Sequence, residues 1–470
     1  MLFNTLEFWF FFIVVYFLYL NFKHKFQNRL LLLSSYFFYG WWDWRFLGLI
    51  WISTVVDYFC GIKISTHKNR GLFLAISIIV NLTILCFFKY FNFFSDSLVS
   101  LANLLGYQLS FCTLNIVLPV GISFYSFQTM SYTIDIYRNE VKPTYNFFDF
   151  ALFVSFFPQL VAGPIERAKR FLPQILSTRE IKSEYISNGC RLILWGLYKK
   201  IVVADRLGVY VDSVYGNIVN HSGLTFQVAT IFFAFQIYCD FSGYSDIARG
   251  LSNLMGFNLV LNFQTPYFSR NIKEFWQRWH ISLSTWLRDY LYIPLGGNRS
   301  VKSKTFRNVM VRMLLGGLWH GANWTFIVWG AVHGIYIILG KLINSYKDNN
   351  MNTSYRNVFL NSRLLVFYFI CITWVFFRSN SLSEALYILE NFFNFKEPLF
   401  TSGRAIEHLF YGLFGIFIVL LIEGRYMNHA SGEIFFISST IRRWAMYYAI
   451  LFSILLFGVF ENEGFIYFQF

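Results

Sequence analysis

Two histidines in unusual surroundings are the side chains of this 470-residue sequence best suited to chemistry. His320 lies inside a run of 28 residues, between Arg312 and Lys341, that holds no Asp, Glu, Lys or Arg. An ionisable residue in such a run usually faces the interior of a helix bundle and marks a functional site. A neutral imidazole in a partly dry site is suited to general-base catalysis. The alternative is a structural His320, hydrogen-bonded between helices.

The second histidine, His280, lies in a segment that is too polar to cross a membrane alone. Within residues 266–299, apolar side chains recur in steps of three and four from Trp276 to Tyr290. This spacing predicts an amphipathic helix that ends near Pro294. His280 then borders the apolar stripe and points inward. The alternative is an interfacial helix lying on the membrane, with His280 at its edge.

The surroundings of His320 raise two further expectations. Close backbone approach, for tight helix packing or a substrate channel, is allowed by the small residues Gly316, Gly317, Gly321 and Ala322. His333 follows 13 residues after His320, about 220° further around a helix, so it points elsewhere and is expected to be structural.

Polar residues also occur in two other apolar regions. Asp240 and Asp246 could orient a histidine, pair with an arginine such as Arg249 or Arg288, bind a cation, or simply end a helix. Residues 156–167 contain two prolines and a glycine that break a span. Broken helices at membrane depth are tolerated only where they are buried in protein or line water. No zinc-type histidine spacing is present, so no metal site is predicted.

The composition identifies the class of protein that must position these residues. The chain is 56% hydrophobic and 14% charged, whereas soluble domains carry about 25% charged residues. Disordered proteins and soluble multidomain enzymes are excluded. Six scattered cysteines without a C-x-x-C pair imply no disulfide framework. A polytopic, all-α membrane protein remains, since about 20 apolar residues cross a bilayer as a helix.

The net charge of +14 is explained by membrane orientation and not by nucleic-acid binding. Basic residues collect in short loops such as 23–29 and 63–70, which two predicted spans separate and which therefore face the same side. Positive loops are usually cytoplasmic, so we expect an extracytoplasmic N-terminus. We expect about 11 crossings plus re-entrant pieces, with candidate spans at 6–22, 30–42, 46–62, 71–88, 114–134, 148–163, 188–204, 224–242, 309–341, 363–377, 407–422 and 444–460.

Several motifs closely resemble the membrane-bound O-acyltransferase family, and within it the bacterial alginate-type O-acetylation branch. The main ones are RWHISLSTWLRDY at 278–290 and WHGA at 319–322. Agreeing stretches are SFYSFQ at 123–128, FPQLVAGP at 157–164, YCDFSGYSD at 238–246 and the closing FIYFQF at 465–470. The resemblance implies one integral membrane domain over 1–470, a helical bundle around a central funnel. Its parts are N-terminal spans in 1–110, a catalytic core in 114–342 and C-terminal spans in 357–470.

The resemblance also implies an activity. Members move an acyl group from a cytoplasmic thioester to an extracytoplasmic hydroxyl, with the histidine of the WHG motif, here His320, as the catalytic one. His280 is the second histidine, which could bind the donor or steady the imidazolium. Expected supporting residues, including candidate oxyanion donors, are Trp319, Asn323, Arg288, Asp289, Trp279, Ser284, Asp240 and Tyr244.

The expected reaction is O-acetylation of alginate or another cell-envelope polysaccharide at the bacterial inner membrane. The donor is acetyl-coenzyme A or a carrier-protein thioester, and no bound cofactor is expected. The expected partner is an extracytoplasmic, esterase-like acetyltransferase. Two alternatives stay open: D-alanyl transfer from a carrier protein to teichoic acid, and a membrane transporter.

Overall fold

The computed structural model describes residues 1–108, 114–299, 301–348, 362–426, 439–460 and 464–466. Within these ranges the regular structure is helical and no strand occurs. Residues 349–361, around the expected start of the C-terminal spans, and residues 467–470 of the closing motif lie outside the described residues.

The helices vary in length from four residues to 32 residues. In chain order they are α1 (Leu6–Asn21), α2 (His24–Asp43), α3 (Leu47–Thr66), α4 (Arg70–Leu85), α5 (Phe91–Leu104), α6 (Ile122–Tyr137), α7 (Phe147–Ser155), α8 (Phe157–Leu160), α9 (Ala168–Leu176), α10 (Ser183–Leu197), α11 (Asp205–Tyr215), α12 (Gly223–Leu254), α13 (Ile272–Arg278), α14 (Ile281–Leu287), α15 (Lys302–His320), α16 (Trp324–Asp348), α17 (Arg363–Arg378), α18 (Leu382–Glu390), α19 (Ala405–Tyr426) and α20 (Thr440–Phe457).

Six stretches of the described residues are long and apolar enough to cross a membrane. They are His24–Thr66, Arg70–Leu104, Gly223–Leu254, Trp324–Ile343, Ala405–Arg425 and Thr440–Phe457, and α1 is a shorter apolar helix. Many large apolar side chains on these helices are exposed, for example Phe10 at 74% and Phe410 at 68%. Such a surface is stable in lipid and not in water. The all-α membrane class is confirmed, whereas the expected number of crossings is not.

The chain divides into two compact units. The first consists of Met1–Gly189 and Leu251–Val260, and the second of Cys190–Gly250 and Leu261–Phe470. In the first unit, helices α3, α4 and α6 pack against one another, and α2 packs against α7. In the second, α15 and α16 form a tightly packed pair, and α17 packs against α16.

The predicted break in the first unit is present and lies in the protein interior. At the predicted break, residues 156–167, α7 has ended at Ser155, and the four-residue α8 and a turn follow before α9 begins at Ala168. Its backbone polar groups are satisfied by buried side chains, since Ser35 Oγ accepts the Phe157 N–H at 3.0 Å and Gln159 Nε2 donates to the Phe153 carbonyl at 3.2 Å. Non-helical backbone is therefore tolerated here because protein covers it.

Candidate active site

The pair of α15 and α16 places His320 at the last residue of a helix. α15 ends at His320, Gly321 is extended, and α16 begins at Trp324. The uncharged run is therefore a broken pair of helices and not one long helix. A Cβ at Gly317 would lie 2.2 Å from the Phe326 carbonyl oxygen, so this glycine allows the two helices to touch. Of the two roles considered for the small residues, tight helix packing is the one present at this position.

The helix predicted through His280 is broken at that residue, so the expectation of one continuous amphipathic helix is wrong. α13 ends at Arg278 and α14 starts at Ile281. His280 adopts the left-handed conformation, with φ 41° and ψ 55°. This region is strained for a residue with a Cβ, and such strain concentrates at functional sites. The break turns the imidazole fully into the interior, where it is 0% exposed.

Asn262, which the motifs did not indicate, fixes the protonation of the His280 ring. Its Oδ1 accepts the backbone N–H of Ser282 at 3.2 Å and the Ser282 hydroxyl at 2.9 Å. An atom that accepts a backbone N–H must be oxygen, so His280 Nδ1, 3.1 Å away, carries the proton and donates to it. The lone pair of the neutral ring is therefore on Nε2.

Burial keeps the His280 ring neutral. Residues 266–299 lie outside every stretch that is long and apolar enough to span the membrane. Desolvation lowers the pKa of His280 to about 3, because the charged imidazolium loses its hydration in the interior. At neutral pH the ring is therefore uncharged and can accept a hydrogen bond at Nε2.

The two histidines lie beside each other within aromatic walls. Their ring centroids are 6.3 Å apart. Trp319 contacts both rings, at 5.1 Å from His320 and 5.6 Å from His280. Trp329 and Phe377 enclose His320 further, at 5.1 and 5.3 Å. His320 is 3% exposed, and electrostatic interactions of a buried group are stronger than in water.

Among the other predicted site residues, Trp319 contacts both histidine rings. Trp279, Asn323 and Ser284 have other partners. Trp279 packs in an aromatic core, 5.1 Å from Trp374. Asn323 caps α16 by accepting the Thr325 N–H and donates its amide to the Asn380 carbonyl. Ser284 donates to the Trp276 carbonyl and accepts from Arg312.

Arg288 and Asp289 form an ion pair of 2.6 Å with each other, in a π-helical turn that follows α14. The arginine side chain is 52% exposed. The hydrogen bonds to Asp289 raise the pKa of the guanidinium. This geometry does not place Arg288 among the residues that surround the histidine pair.

Asp240 and Asp246 lie in the middle of α12, so the expectation of a helix end is wrong. Asp240 pairs with Lys200 at 2.8 Å, and Lys200 also reaches Asp205 at 2.7 Å. Asp246 pairs with Lys199 at 2.6 Å and with Arg249 at 3.4 Å, so one of the predicted arginine pairings is present. The lysines are adjacent but both buried, because Tyr198–Ala204 is π-helical and all seven of its residues face the interior.

Tyr244 packs against Phe465 with ring centroids 5.2 Å apart. The next residue, Ile466, donates its backbone N–H to Asp240 at 2.7 Å. Asp240 and Tyr244 therefore hold the described part of the closing motif. Phe241 contacts both Phe465, at 5.6 Å, and the His280 ring, at 4.7 Å, so aromatic packing connects this motif to the histidine pair.

His333 has a structural environment, but the 220° argument for it is wrong because the helix breaks between His320 and Trp324. Thr373 donates its hydroxyl to the Ile370 carbonyl, so His333 Nε2, 3.1 Å from that hydroxyl, is the donor of this pair. The Trp329 ring contacts both His333 and His320, with ring centroids 4.7 Å and 5.1 Å apart.

Three residues at the site were missed by sequence reasoning: Asn262, Trp329 and Phe377. Asn262 and Phe377 lie 18 and 57 residues from the histidines they contact, and no local pattern connects them. Trp329 follows His320 by only nine residues. Its direction relative to His320 depends on the break between α15 and α16, which the residue pattern does not reveal.

Comparison with known proteins adds a family and several relatives. A family model described as "MBOAT, membrane-bound O-acyltransferase family" matches residues 37–381. A probable alginate O-acetylase of Pseudomonas aeruginosa is 41% identical over 400 residues, 84% of this chain and 75% of that protein. A peptidoglycan O-acetyltransferase of Helicobacter pylori is 37% identical, over 83% of this chain and 79% of that protein. A teichoic acid D-alanyltransferase of Streptococcus thermophilus is 33% identical, over 47% and 56%.

Proposed function

The chain belongs to the membrane-bound O-acyltransferase family, and from this premise we propose that it carries an acetyl group from a cytoplasmic thioester to a cell-envelope polysaccharide. The observation that supports this proposal best is the buried pair of His280 and His320 behind aromatic walls. The chain is a membrane-bound O-acyltransferase, and its relatives named for alginate and peptidoglycan O-acetylation favour a polysaccharide acceptor.

His320 is the general base of the proposed reaction. It takes the proton of an acceptor hydroxyl while that oxygen attacks the thioester carbonyl carbon. The carbon–sulfur bond then breaks, and the departing thiolate takes the proton from the imidazolium. No proton is gained or lost in the complete transfer. The burial of His320 supports this role because it excludes water, which would otherwise hydrolyse the thioester.

His280 supports the reaction by accepting a hydrogen bond. Because Asn262 holds the proton on Nδ1, Nε2 offers a lone pair. This lone pair can receive an N–H of the His320 imidazolium or of the thioester donor. A neutral acceptor beside the developing imidazolium lowers the energy of that cation without adding a second buried charge.

The candidate oxyanion donors are Asn323, Arg288 and Trp319, and we assign stabilisation of the oxyanion to Trp319. Its indole ring contacts both histidines. Asn323 and Arg288 are engaged elsewhere, with the Asn380 carbonyl and with Asp289. An indole N–H directed at the developing negative charge is the kind of donor that acyl transfer requires.

Acetyl transfer is favoured over D-alanyl transfer by the extent of the relationships. The O-acetylation relatives match more than four fifths of this chain, whereas the D-alanyltransferase of S. thermophilus matches 47%. The proposal includes the bacterial inner membrane as location, a cytoplasmic donor and an extracytoplasmic, esterase-like partner that completes delivery to the glycan.

The test is release of free thiol from acetyl-coenzyme A by purified protein in detergent, with and without glycan. We expect His320→Ala to abolish release, and His221→Ala to leave it at the wild-type level, since that loop histidine packs on Phe400, with ring centroids 4.9 Å apart. Folded fraction is checked by size exclusion. Equal release by wild type and His320→Ala would contradict the assigned base. Release from an aminoacyl carrier protein alone would favour D-alanyl transfer.

A further inference from the structure

A cluster of polar side chains is buried between three helices of the first unit, far in sequence from the histidine pair. Its members are each at most 1% exposed: Ser53 and Asp57 on α3, Ser77 and Asn81 on α4, Thr129 and Thr133 on α6. The first four lie in stretches apolar enough to span the membrane. Ionisable residues in such places are costly and are kept for a function.

Asn81 organises the cluster. Its amide nitrogen donates to Asp57 Oδ2 at 2.8 Å and to the Ser77 carbonyl at 2.9 Å. Its Oδ1 lies within hydrogen-bonding distance of the hydroxyls of Ser53, at 2.7 Å, and Thr129, at 3.2 Å. Because both hydroxyls can direct their hydrogens to Asn81, their oxygen lone pairs are free to face another partner.

Asp57 is hydrogen-bonded by neutral side chains but has no counter-charge among the described residues. It is 0% exposed, and within the described part of the chain its Oδ1 has no hydrogen-bond partner. The side chains that interact with its carboxyl are the neutral Ser77, Asn81 and Thr129. An ionised carboxylate buried without a counter-charge costs several kcal/mol. A protonated carboxyl is the alternative state, since its O–H could donate to the hydroxyl oxygen of Ser77 or Thr129.

We propose that the first unit binds one Na⁺ beside Asp57, with the carboxylate and the hydroxyl oxygens of Ser53, Ser77 and Thr129 as ligands. Carboxylate and hydroxyl oxygens suit hard cations. A single positive charge neutralises the single carboxylate, whereas a divalent ion would leave a net charge in an apolar region. Asn81 orients the ligands, as residues behind a metal site do.

The spacing of the oxygens fits this assignment. The Ser53 and Thr129 hydroxyl oxygens are 3.4 Å apart. Octahedral ligands at about 2.4 Å from a cation of this size are about 3.4 Å from their neighbours. Ser77 Oγ is 2.8 Å from Thr133 Oγ1, and Thr133 donates its own hydrogen to the Met130 carbonyl. Ser77 therefore donates to Thr133 and keeps its lone pairs for the cation. The proposal is independent of the acyl-transfer assignment.

The test is equilibrium dialysis of ²²Na⁺ against the purified full-length protein in detergent, with choline chloride holding the ionic strength constant. We expect saturable binding of one Na⁺ per chain. Thr129→Val, which keeps the side-chain shape, should weaken binding by about tenfold or more, and Asp57→Asn should abolish it. Thr54→Val is the matched control, because the buried Thr54 hydroxyl bonds to the Ile50 carbonyl of its own helix. Its affinity for Na⁺ should equal that of wild type.

If Asp57→Asn does not fold, the unfolding temperature of the other variants provides a second test. The unfolding temperature of wild type should rise with NaCl but not with choline chloride, and the rise should shrink in Thr129→Val. No Na⁺ binding by folded wild type would overturn the proposal. An unfolding temperature that responds to pH and not to Na⁺ would identify a proton as the ligand, which also overturns it. Equal binding by Thr129→Val and wild type would exclude this location.

Discussion

Replacement of Asn262 by leucine tests how the His280 ring is held. Leucine is similar in size but accepts no hydrogen bond. The change removes the acceptor of His280 Nδ1, of the Ser282 backbone N–H and of the Ser282 hydroxyl. All of these groups are in the interior, so water cannot replace the lost partner.

The cost follows from these three interactions. A buried donor left without an acceptor costs about 1–3 kcal/mol. The Ser282 hydroxyl can rotate to another acceptor, but the backbone N–H cannot, so the minimum loss of unfolding free energy is about 1–3 kcal/mol. If all three donors stay unsatisfied, the loss is about 3–9 kcal/mol. The His280 proton is then free to move to Nε2, which removes the proposed acceptor.

The assay is thiol release from acetyl-coenzyme A per folded molecule, together with the unfolding temperature in detergent. We expect Asn262→Leu to reduce turnover at least about tenfold, as loss of a group that orients a functional histidine does. Thr373→Val is the control. It removes the partner of the structural His333 and should lower stability without lowering turnover per folded molecule.

Two results would refute the reasoning. Wild-type turnover in Asn262→Leu would show that the tautomer of His280 has no part in the reaction. An equal loss of turnover per folded molecule in Thr373→Val would show that a general loss of packing, and not the His280 tautomer, lowers turnover.

Two further predictions concern stability and are checked by unfolding temperature in detergent. Gly317→Ala should destabilise the protein strongly, because its Cβ would lie 2.2 Å from the Phe326 carbonyl oxygen, whereas Gly71→Ala meets nothing within 4 Å and should be neutral or slightly stabilising. A small loss at Gly317 would show that α15 and α16 can separate easily. Lys200→Met should cost about 3–5 kcal/mol, since it leaves two buried carboxylates without their cation. The exposed Lys182→Met should cost under about 1 kcal/mol, and equal losses in the two variants would contradict this account.

The sequence contained enough to identify the class of protein and the two histidines. Apolar runs of membrane length are a local property of the chain, and the described structure is all-helical with exposed apolar faces. His320 stood out because an ionisable residue is rare in an uncharged apolar run. His280 stood out because it lies in a strongly polar segment of an apolar chain. The structure brings these two rings together, although 39 residues intervene between them.

Other features could not be obtained from residue patterns. The apolar periodicity from Trp276 to Tyr290 predicted one helix, but the chain adopts a left-handed conformation at His280 in its middle. Periodicity reports which side chains prefer burial. It does not register one strained residue, His280, that is held in place because Asn262 accepts hydrogen bonds from its ring and from the Ser282 backbone N–H just after it.

The partners of the buried charges show the same division. The sequence by itself determined that Asp240 and Asp246 lie in an apolar context and need compensation. Only the tertiary structure decided that Lys200 and Lys199 supply it, through a π-helical stretch that directs two adjacent side chains inward. The physical reason is that the need for a counter-charge is set by local composition, whereas its identity depends on which helices pack together across long sequence separations.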